Sequence, residues 1–136
     1  MEEGIIRTAP DREKAKSILK MVETTLEMID TIDPRRFTSH VVKEYYEVIR
    51  ELITVILLLD GYKTHGEGAH KKLIEYMEKN YGEFKGHEIS LLDDLRVIRN
   101  KIAYNGFFVT DDYLDRKRQE ILTLIDKLRI IIYKKL

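Results

Sequence analysis

Hydrophobic residues recur along most of the chain at intervals of three and four positions, and this spacing predicts five helices. The first predicted helix carries its apolar stripe at Ala15, Ile18, Leu19, Val22, Leu26 and Ile29, and the last at Leu114, Ile121, Leu124, Ile125, Leu128, Ile131 and Ile132. The segment 52–59 is apolar all round except for Thr54, as expected for the most buried helix of a bundle. The alternation typical of strands is almost absent. We therefore predict an all-α fold, an up-and-down bundle of four to five helices.

Capping residues predict where these helices begin and end. Hydroxyl side chains that accept a hydrogen bond from a first-turn amide predict starts at Thr8, Thr64, Ser90 and Thr110. Gly61 and Gly106 suit the left-handed conformation that ends a helix, and the segment 80–82 ends a third. The apolar connector 107–109 is predicted to fold onto the bundle.

Length and composition bound the class of protein. A chain of 136 residues with 43% hydrophobic content suits a single domain over residues 1–136. The absence of cysteine excludes disulfides and thiolate chemistry. No long apolar run follows the acidic start Met1-Glu2-Glu3-Gly4, so no signal peptide is predicted. The longest apolar run is far shorter than the ~20 residues of a membrane helix. We expect a cytoplasmic protein with no membrane partner.

Charge is unevenly distributed although the formal net charge is zero. From Arg96 onward the chain has ten Lys or Arg against five Asp or Glu, and the residues before it have 14 against 19. Overall neutrality argues against strong non-specific nucleic-acid binding, which needs clustered cations that displace counterions. A local basic surface at the C-terminal helices and ordinary solvated helix faces are both compatible with this distribution.

The most informative segment is the fourth predicted helix, where Arg99-Asn100 is followed by Tyr104 and then by Gly106. Its main core stripe is predicted at Leu91, Leu95, Ile98 and Ile102. A second, semi-apolar face holds Leu92, Arg96, Arg99 and Ala103, and such a face is typical of a helix that meets another chain or a groove. Tyr104 lies about 140° around the helix from Arg99. The two side chains are expected to converge only if the helix unwinds near Gly106, or if a symmetry-related subunit supplies one of them.

This segment resembles the active-site motif of the HEPN family, helical domains many of which cut or bind RNA. In that motif an Arg, often followed by Asn or another polar residue, precedes a His by a few positions. Arg99 matches the Arg, Asn100 matches the polar residue, and Tyr104 occupies the position of the His. The resemblance implies that the Arg stabilises charge on a scissile phosphate, while the His moves protons during attack by the RNA 2′-OH. It also implies a homodimer that brings two motifs into one cleft.

The replacement of the motif His by Tyr104 changes the expected function. A free phenol with a pKa near ~10 is ionised to about one part in a thousand at pH 7, whereas imidazole titrates near neutrality. We therefore expect an RNA- or nucleotide-interacting protein of toxin–antitoxin type whose metal-independent ribonuclease activity is weakened or lost. Arg99 and Tyr104 are the candidate catalytic residues, Arg96, Arg99 and Asn100 the candidate nucleic-acid contacts, and neither a cofactor nor a metal is expected.

The alternative function is a non-catalytic, dimeric interaction module that docks a partner protein such as a nucleotidyltransferase. A Tyr at the His position suits a retained surface better than a retained active site. In a subset of HEPN toxins the partner nucleotidyltransferase modifies a Tyr two places after the motif His. Gly106 occupies that place here, so this regulation does not carry over.

His70 is the remaining residue with potential chemistry. Glu67 and His70 form one Glu-x-x-His pattern, but di-iron helical bundles need two such patterns and two further inward-facing Glu residues. His70 lies on the apolar side of the third predicted helix, together with Leu73, Ile74 and Met77. A hydrogen-bonded core or interface histidine is the expected role, and a place in the same cleft as Arg99 is the alternative.

Overall fold

Five helices and one small sheet make up the fold in a computed structural model that describes residues 4–136. In chain order the elements are β1 (Ile5–Arg7), α1 (Arg12–Asp30), α2 (Thr38–Asp60), β2 (Tyr62–Thr64), α3 (Ala69–Asn80), α4 (Gly86–Asn105) and α5 (Asp111–Lys135). The predicted all-α bundle is confirmed. Met1, Glu2 and Glu3, on which the signal-peptide prediction rests, lie outside the described residues.

Helix α2 is the centre of the bundle and packs against α1, α3, α4 and α5. Its predicted apolar run lies in the core, where Leu52, Val55 and Ile56 are each fully buried. Burying one such side chain contributes about 1.5–3 kcal/mol, so this run stabilises the fold strongly. The stripe predicted for α5 is buried at every position, and that of α1 is buried or packed against the core.

The two short strands were not predicted. β1 and β2 pair antiparallel, with Ile5 opposite Thr64, and the Thr8 N–H extends the contact by donating to the Gly61 carbonyl at 2.9 Å. Gly61 ends α2 as predicted, and its φ of +87° lets the chain turn directly into β2. The predicted caps at Thr8 and Thr64 are therefore wrong, because strand pairing occupies both segments. Three-residue strands are too short to show a readable alternation.

Three helix starts differ from the prediction. α1 begins after Asp11, whose carboxylate accepts the Lys14 N–H at 3.0 Å, and α3 begins after Gly68. α4 begins four residues before Ser90, because the Glu88 carboxylate reaches back to the Lys85 N–H at 2.9 Å and caps the helix without a hydroxyl. The predicted Thr110 cap is confirmed, as are the ends of α3 and α4.

The second half of α4 stands at the edge of the core. Leu91, Leu92 and Leu95 are buried, but no residue from 96 to 108 is. Ile98 and Ile102 are half-buried, so the predicted core stripe is correct only for its first half. Leu92, predicted on the second face, is fully buried. The buried stripe of α4 ends at Leu95, and one turn later Arg99 pairs with Glu47 of α2 where an apolar side chain would continue the core.

The connector after α4 is folded onto the bundle only at its last residue. Val109 is buried, and its N–H donates to Ser39 Oγ at 2.7 Å. Phe107 and Phe108 are 45% and 82% exposed, so the prediction is wrong for both. Gly106, with a φ of +63°, and the anchored Val109 hold the two ends of this short segment and leave the phenylalanines outside the core. Among the described residues, no helix has an apolar stretch sufficient to cross a bilayer.

Candidate functional site

Two arginines from different helices share one carboxylate at the seam between α2 and α4. Arg99 Nε on α4 donates to Glu47 Oε1 on α2 at 3.0 Å. Arg50, one turn further along α2, binds the other carboxylate oxygen through Nε at 3.0 Å and Nη2 at 2.9 Å. Burial alone would raise the pKa of Glu47, but the hydrogen bonds and charges of the two arginines outweigh it and lower that pKa. Glu47 is therefore ionised at neutral pH.

Arg99 also contacts the two other residues of the predicted motif. Its Nη1 donates to Asn100 Oδ1 at 3.3 Å. Burial lowers the pKa of Arg99, but the Glu47 carboxylate and the Tyr104 hydroxyl outweigh that effect, so the pKa is raised. α4 is helical through Asn105, and the expectation that Arg99 and Tyr104 meet only after unwinding or across a dimer is wrong. The two side chains are long enough to meet around an intact helix.

Arg96 lies one turn before Arg99, and its Nε donates to Asp93 Oδ1 at 2.9 Å. We call Arg50, Arg96 and Arg99, together with Glu47 and Asp93, the arginine cluster. The side chains of Arg96 and Arg99 are 19% and 21% exposed, so both reach solvent. The three guanidinium groups are matched by nearby carboxylates, and the cluster is a network of ion pairs rather than a bare cationic patch.

His70 lies in the first turn of α3 and contacts α2. The half-buried imidazole packs against the ring of Tyr46, with centroids 6.2 Å apart and the planes tilted by 49°. Burial, followed by the charges of Arg50 and Arg99, lowers the pKa of His70. Burial also raises the pKa of Tyr46 to about 12, so the phenol stays protonated. The structure thus packs His70 against Tyr46 of α2, where the charges of Arg50 and Arg99 reach it, and a cleft shared by His70 and Arg99 stays a prediction.

An exposed aromatic surface adjoins the cluster at the end of α4. Tyr104 is 75% exposed, and Phe107 and Phe108 follow it in the connector. Val97 is also exposed, on the same half of the helix. Large apolar side chains grouped at a surface are typical of interaction sites.

Sequence reasoning missed the α2 contributions to the site, which are Tyr46, Glu47 and Arg50. A signal was present, because Glu47 and Arg50 form an acid–base pair three positions apart immediately before the all-apolar run of the central helix. Nothing in the sequence indicates that Glu47 would also pair with Arg99 of α4. Within residues 4–136, no group of three or more His, Asp or Glu side chains is arranged to hold a metal ion.

Comparisons of the chain with models of protein families, with curated proteins and with solved structures gave no match. The resemblance to the HEPN family therefore stays a prediction from the residues of the motif.

Proposed function

We propose that this protein is a HEPN-like, homodimeric RNA-interacting domain that binds a backbone phosphate at the arginine cluster, and that its metal-independent ribonuclease activity is weakened or lost. The observation that carries the proposal is the pair of arginines, Arg50 and Arg99, held around the single carboxylate of Glu47. Arg99 belongs to the Arg-Asn motif, so the geometry and the sequence resemblance converge on one residue.

A phosphodiester suits this arrangement chemically. Its two non-bridging oxygens match the forked N–H groups of a guanidinium, as a carboxylate does. Arg50 and Arg99 share one carboxylate, so the three side chains together carry one net positive charge. A phosphate that approaches Arg99 would complete the neutralisation. Because the surrounding charges are nearly balanced, we expect recognition of one or two phosphates rather than tight, sequence-independent coating of a strand.

Tyr104 supports binding better than proton transfer. Its hydroxyl acts on the pKa of Arg99, and its exposure leaves it accessible to a ligand. A tyrosine hydroxyl can donate a hydrogen bond to a phosphate oxygen, but it is a poorer general base than the imidazole of the motif. RNA cleavage that relies on Tyr104 alone for proton transfer is therefore expected to be slow.

The homodimer is supported by the exposed surface at the end of α4. Phe107 and Phe108 supply the large aromatic side chains that are enriched in protein interfaces. A second copy packed on this surface would cover them and bring two Arg99 side chains near one cleft. Such a cleft would span two phosphates of one strand.

The test is RNA binding measured by fluorescence anisotropy with a labelled single-stranded RNA over a series of KCl concentrations. Replacing one charge-assisted phosphate contact in Arg99→Ala is expected to weaken binding about 10- to 100-fold and to reduce the salt slope by about 0.7. Arg116→Ala is the matched control, because Arg116 is 60% exposed on α5 and pairs only with Asp112 among the described residues. Equal binding by Arg99→Ala and the unmodified chain would overturn the proposal.

A second candidate function is the non-catalytic module that docks a partner protein such as a nucleotidyltransferase. The observation that favours it is the ion pair between Arg99 and Glu47, which satisfies the arginine without any ligand. Light scattering of the unmodified chain and of the double variant Phe107→Ser/Phe108→Ser tests the surface. Loss of the homodimer in the double variant would show that this surface forms the dimer, which both functions share, and absence of RNA binding by the unmodified chain would favour docking over RNA recognition.

A further inference from the structure

The central helix α2 keeps one polar strip at the surface of the bundle. Glu47, Arg50, Glu51 and Thr54 are half-buried and lie three and four positions apart, so they share one face of the helix. Glu47 and Arg50 belong to the arginine cluster. The strip continues past the cluster, and Arg50 also lines a groove between α1 and α2.

This groove has a volume of about 210 Å³. It combines apolar side chains of α1 with polar side chains of α2, which are Ile18, Met21, Arg50, Glu51 and Thr54. Sites that enclose drug-sized ligands measure about 300–1,000 Å³. The groove therefore suits a single ring system rather than a whole nucleotide.

The α1 side of the groove offers an apolar surface to such a ring. Met21 is 60% exposed, and thioethers make favourable contacts with aromatic rings. Ile18 is packed against the core, so this part of the wall is held in place.

Glu51 brings a carboxylate that lacks a hydrogen-bond donor. Its side chain is only 30% exposed, and Arg50 Nη2 lies 3.9 Å from its Oε1, which is too far for a hydrogen bond. Among the described residues, none donates a hydrogen bond to this carboxylate. Burial raises the pKa of Glu51, although the charge of Arg50 acts in the opposite direction. A ligand with N–H groups would supply the missing donors.

Arg50 can donate to the same ligand. A guanidinium has five N–H groups, and Glu47 occupies only those that point to it from Nε and Nη2. The groove thus presents a cationic donor beside a carboxylate with two acceptor oxygens.

Guanine is the RNA base whose edge matches these groups. Its Watson–Crick edge carries the O6 acceptor next to two donors, N1–H and the N2 amino group. Adenine, cytosine and uracil each carry a single donor group on that edge, which would leave one oxygen of Glu51 unmatched. Arginine donors commonly bind the O6 of guanine, and unpaired RNA bases are commonly read on this edge.

We propose that the groove between α1 and α2 is a guanine subsite, an inference that rests on the proposed binding of an RNA phosphate at the arginine cluster. Glu51 accepts the N1–H and N2–H groups of one guanine, Arg50 donates to its O6, and Met21 packs on the face of the ring. Because Arg50 belongs to both the groove and the cluster, the groove reads a base of the strand whose phosphate the cluster holds.

The experiment measures the affinity of the full chain for labelled oligouridines by fluorescence anisotropy. The oligouridines differ only in the central nucleotide, which is guanosine, adenosine or inosine. The unmodified chain should bind the guanosine RNA about 10- to 100-fold more tightly than the adenosine RNA. Inosine lacks the N2 amino group, so the inosine RNA should lose part of this preference.

Two variants with matched controls assign the preference to the groove. Glu51→Gln should abolish the preference for guanosine, whereas Glu44→Gln removes the same charge from a half-buried position of α2 outside the groove and should keep it. Met21→Ala should weaken binding of the guanosine RNA about 2- to 10-fold. Met28→Ala, at an exposed position of α1 outside the groove, should not weaken it.

Equal affinity of the unmodified chain for the guanosine and adenosine RNAs would overturn the guanine subsite and leave the phosphate site standing. An undiminished preference in Glu51→Gln would overturn it too. Guanosine monophosphate is added as a competitor, and if it binds more tightly than the guanosine RNA, the groove takes a free nucleotide and the assignment to RNA is wrong. Absence of RNA binding by the unmodified chain would overturn both proposals together.

Discussion

Glu47 and Glu51 lie one turn apart on α2, and replacing each by Gln tests whether Glu47 holds the arginine cluster together. Both of its oxygens are occupied, one by Arg99 at 3.0 Å and the other by Arg50 at 2.9 Å. Gln has the same shape, but one terminal oxygen becomes an amide donor that faces a guanidinium donor. Glu51 contacts Arg50 only at 3.9 Å, and burial raises its pKa.

The expected loss of stability follows from the distance between the Glu47 and Arg99 charges and from how deeply the two side chains are buried. Two unit charges 3.0 Å apart attract by about 5.5 kcal/mol at an effective dielectric constant of about 20, and desolvation offsets most of this. Exposed pairs contribute about 0.2–1 kcal/mol, and breaking a fully buried pair costs about 3–5 kcal/mol. The Glu47 and Arg99 side chains are 20% and 21% exposed, which lies between these limits. Glu47→Gln should therefore lower the free energy of unfolding by about 2 kcal/mol.

The assay is unfolding by urea, monitored by circular dichroism at pH 7 and again at pH 3. At pH 7 the loss for Glu47→Gln corresponds to a fall in Tm of about 7 °C, given ~2.1 cal/mol/K of unfolding entropy per residue. Glu51→Gln should leave stability unchanged or slightly raised. Folding lowers the pKa of Glu47, so its contribution is fully present above the ordinary value of 4.5 and is lost as the pH falls through the lowered value. The difference between Glu47→Gln and the unmodified chain should accordingly shrink at pH 3.

Two outcomes would refute this reasoning. If both Gln variants lose the same stability at pH 7, the shared carboxylate has no special role. If the deficit of Glu47→Gln is undiminished at pH 3, it does not arise from the charge of Glu47.

Two further predictions concern the remainder of the fold. Asp60→Asn should lower the free energy of unfolding by about 1.5–3 kcal/mol at pH 7, because the carboxylate accepts hydrogen bonds from two tyrosines and Lys135. These groups outweigh burial and lower the pKa of Asp60, so urea titrations should show the deficit shrinking as the pH falls below 3.8; a constant deficit would contradict this. Gly61→Ala should lower Tm and cost at least about 1 kcal/mol, because Gly61 has a φ of +87° and an added Cβ would lie 3.2 Å from the Thr8 carbonyl oxygen. Gly82→Ala is its control, since Gly82 has open space around it, and equal Tm values for the two variants would refute the argument.

The helices were predictable because their signals are local. The stripe of α5 and the all-apolar run of α2 are written in consecutive turns, and both are buried as expected. The first residues of the helices were harder to predict than the last ones. A left-handed Gly61 or Gly106 marks an end unambiguously, whereas the Glu88 cap of α4 uses a side chain inside the helix and resembles any other surface glutamate.

Half of the candidate site could be identified in the same way. Arg96, Arg99 and Asn100 lie within two turns of one helix, so their proximity follows from helical geometry. Phe107 and Phe108 show the opposite case. Their hydrophobicity predicted burial, but whether a short connector lies on the core or outside it depends on where its ends are anchored.

The amino-acid pattern was sufficient to establish the helical class, the central position of α2 and the presence of a polar motif near the end of α4. Folding supplied the partner of that motif. Glu47 is 52 positions from Arg99 in the chain. Contacts of this kind depend on the angle and offset at which α4 crosses α2 and α3, and that geometry results from the packing of all the buried side chains at once rather than from any one segment.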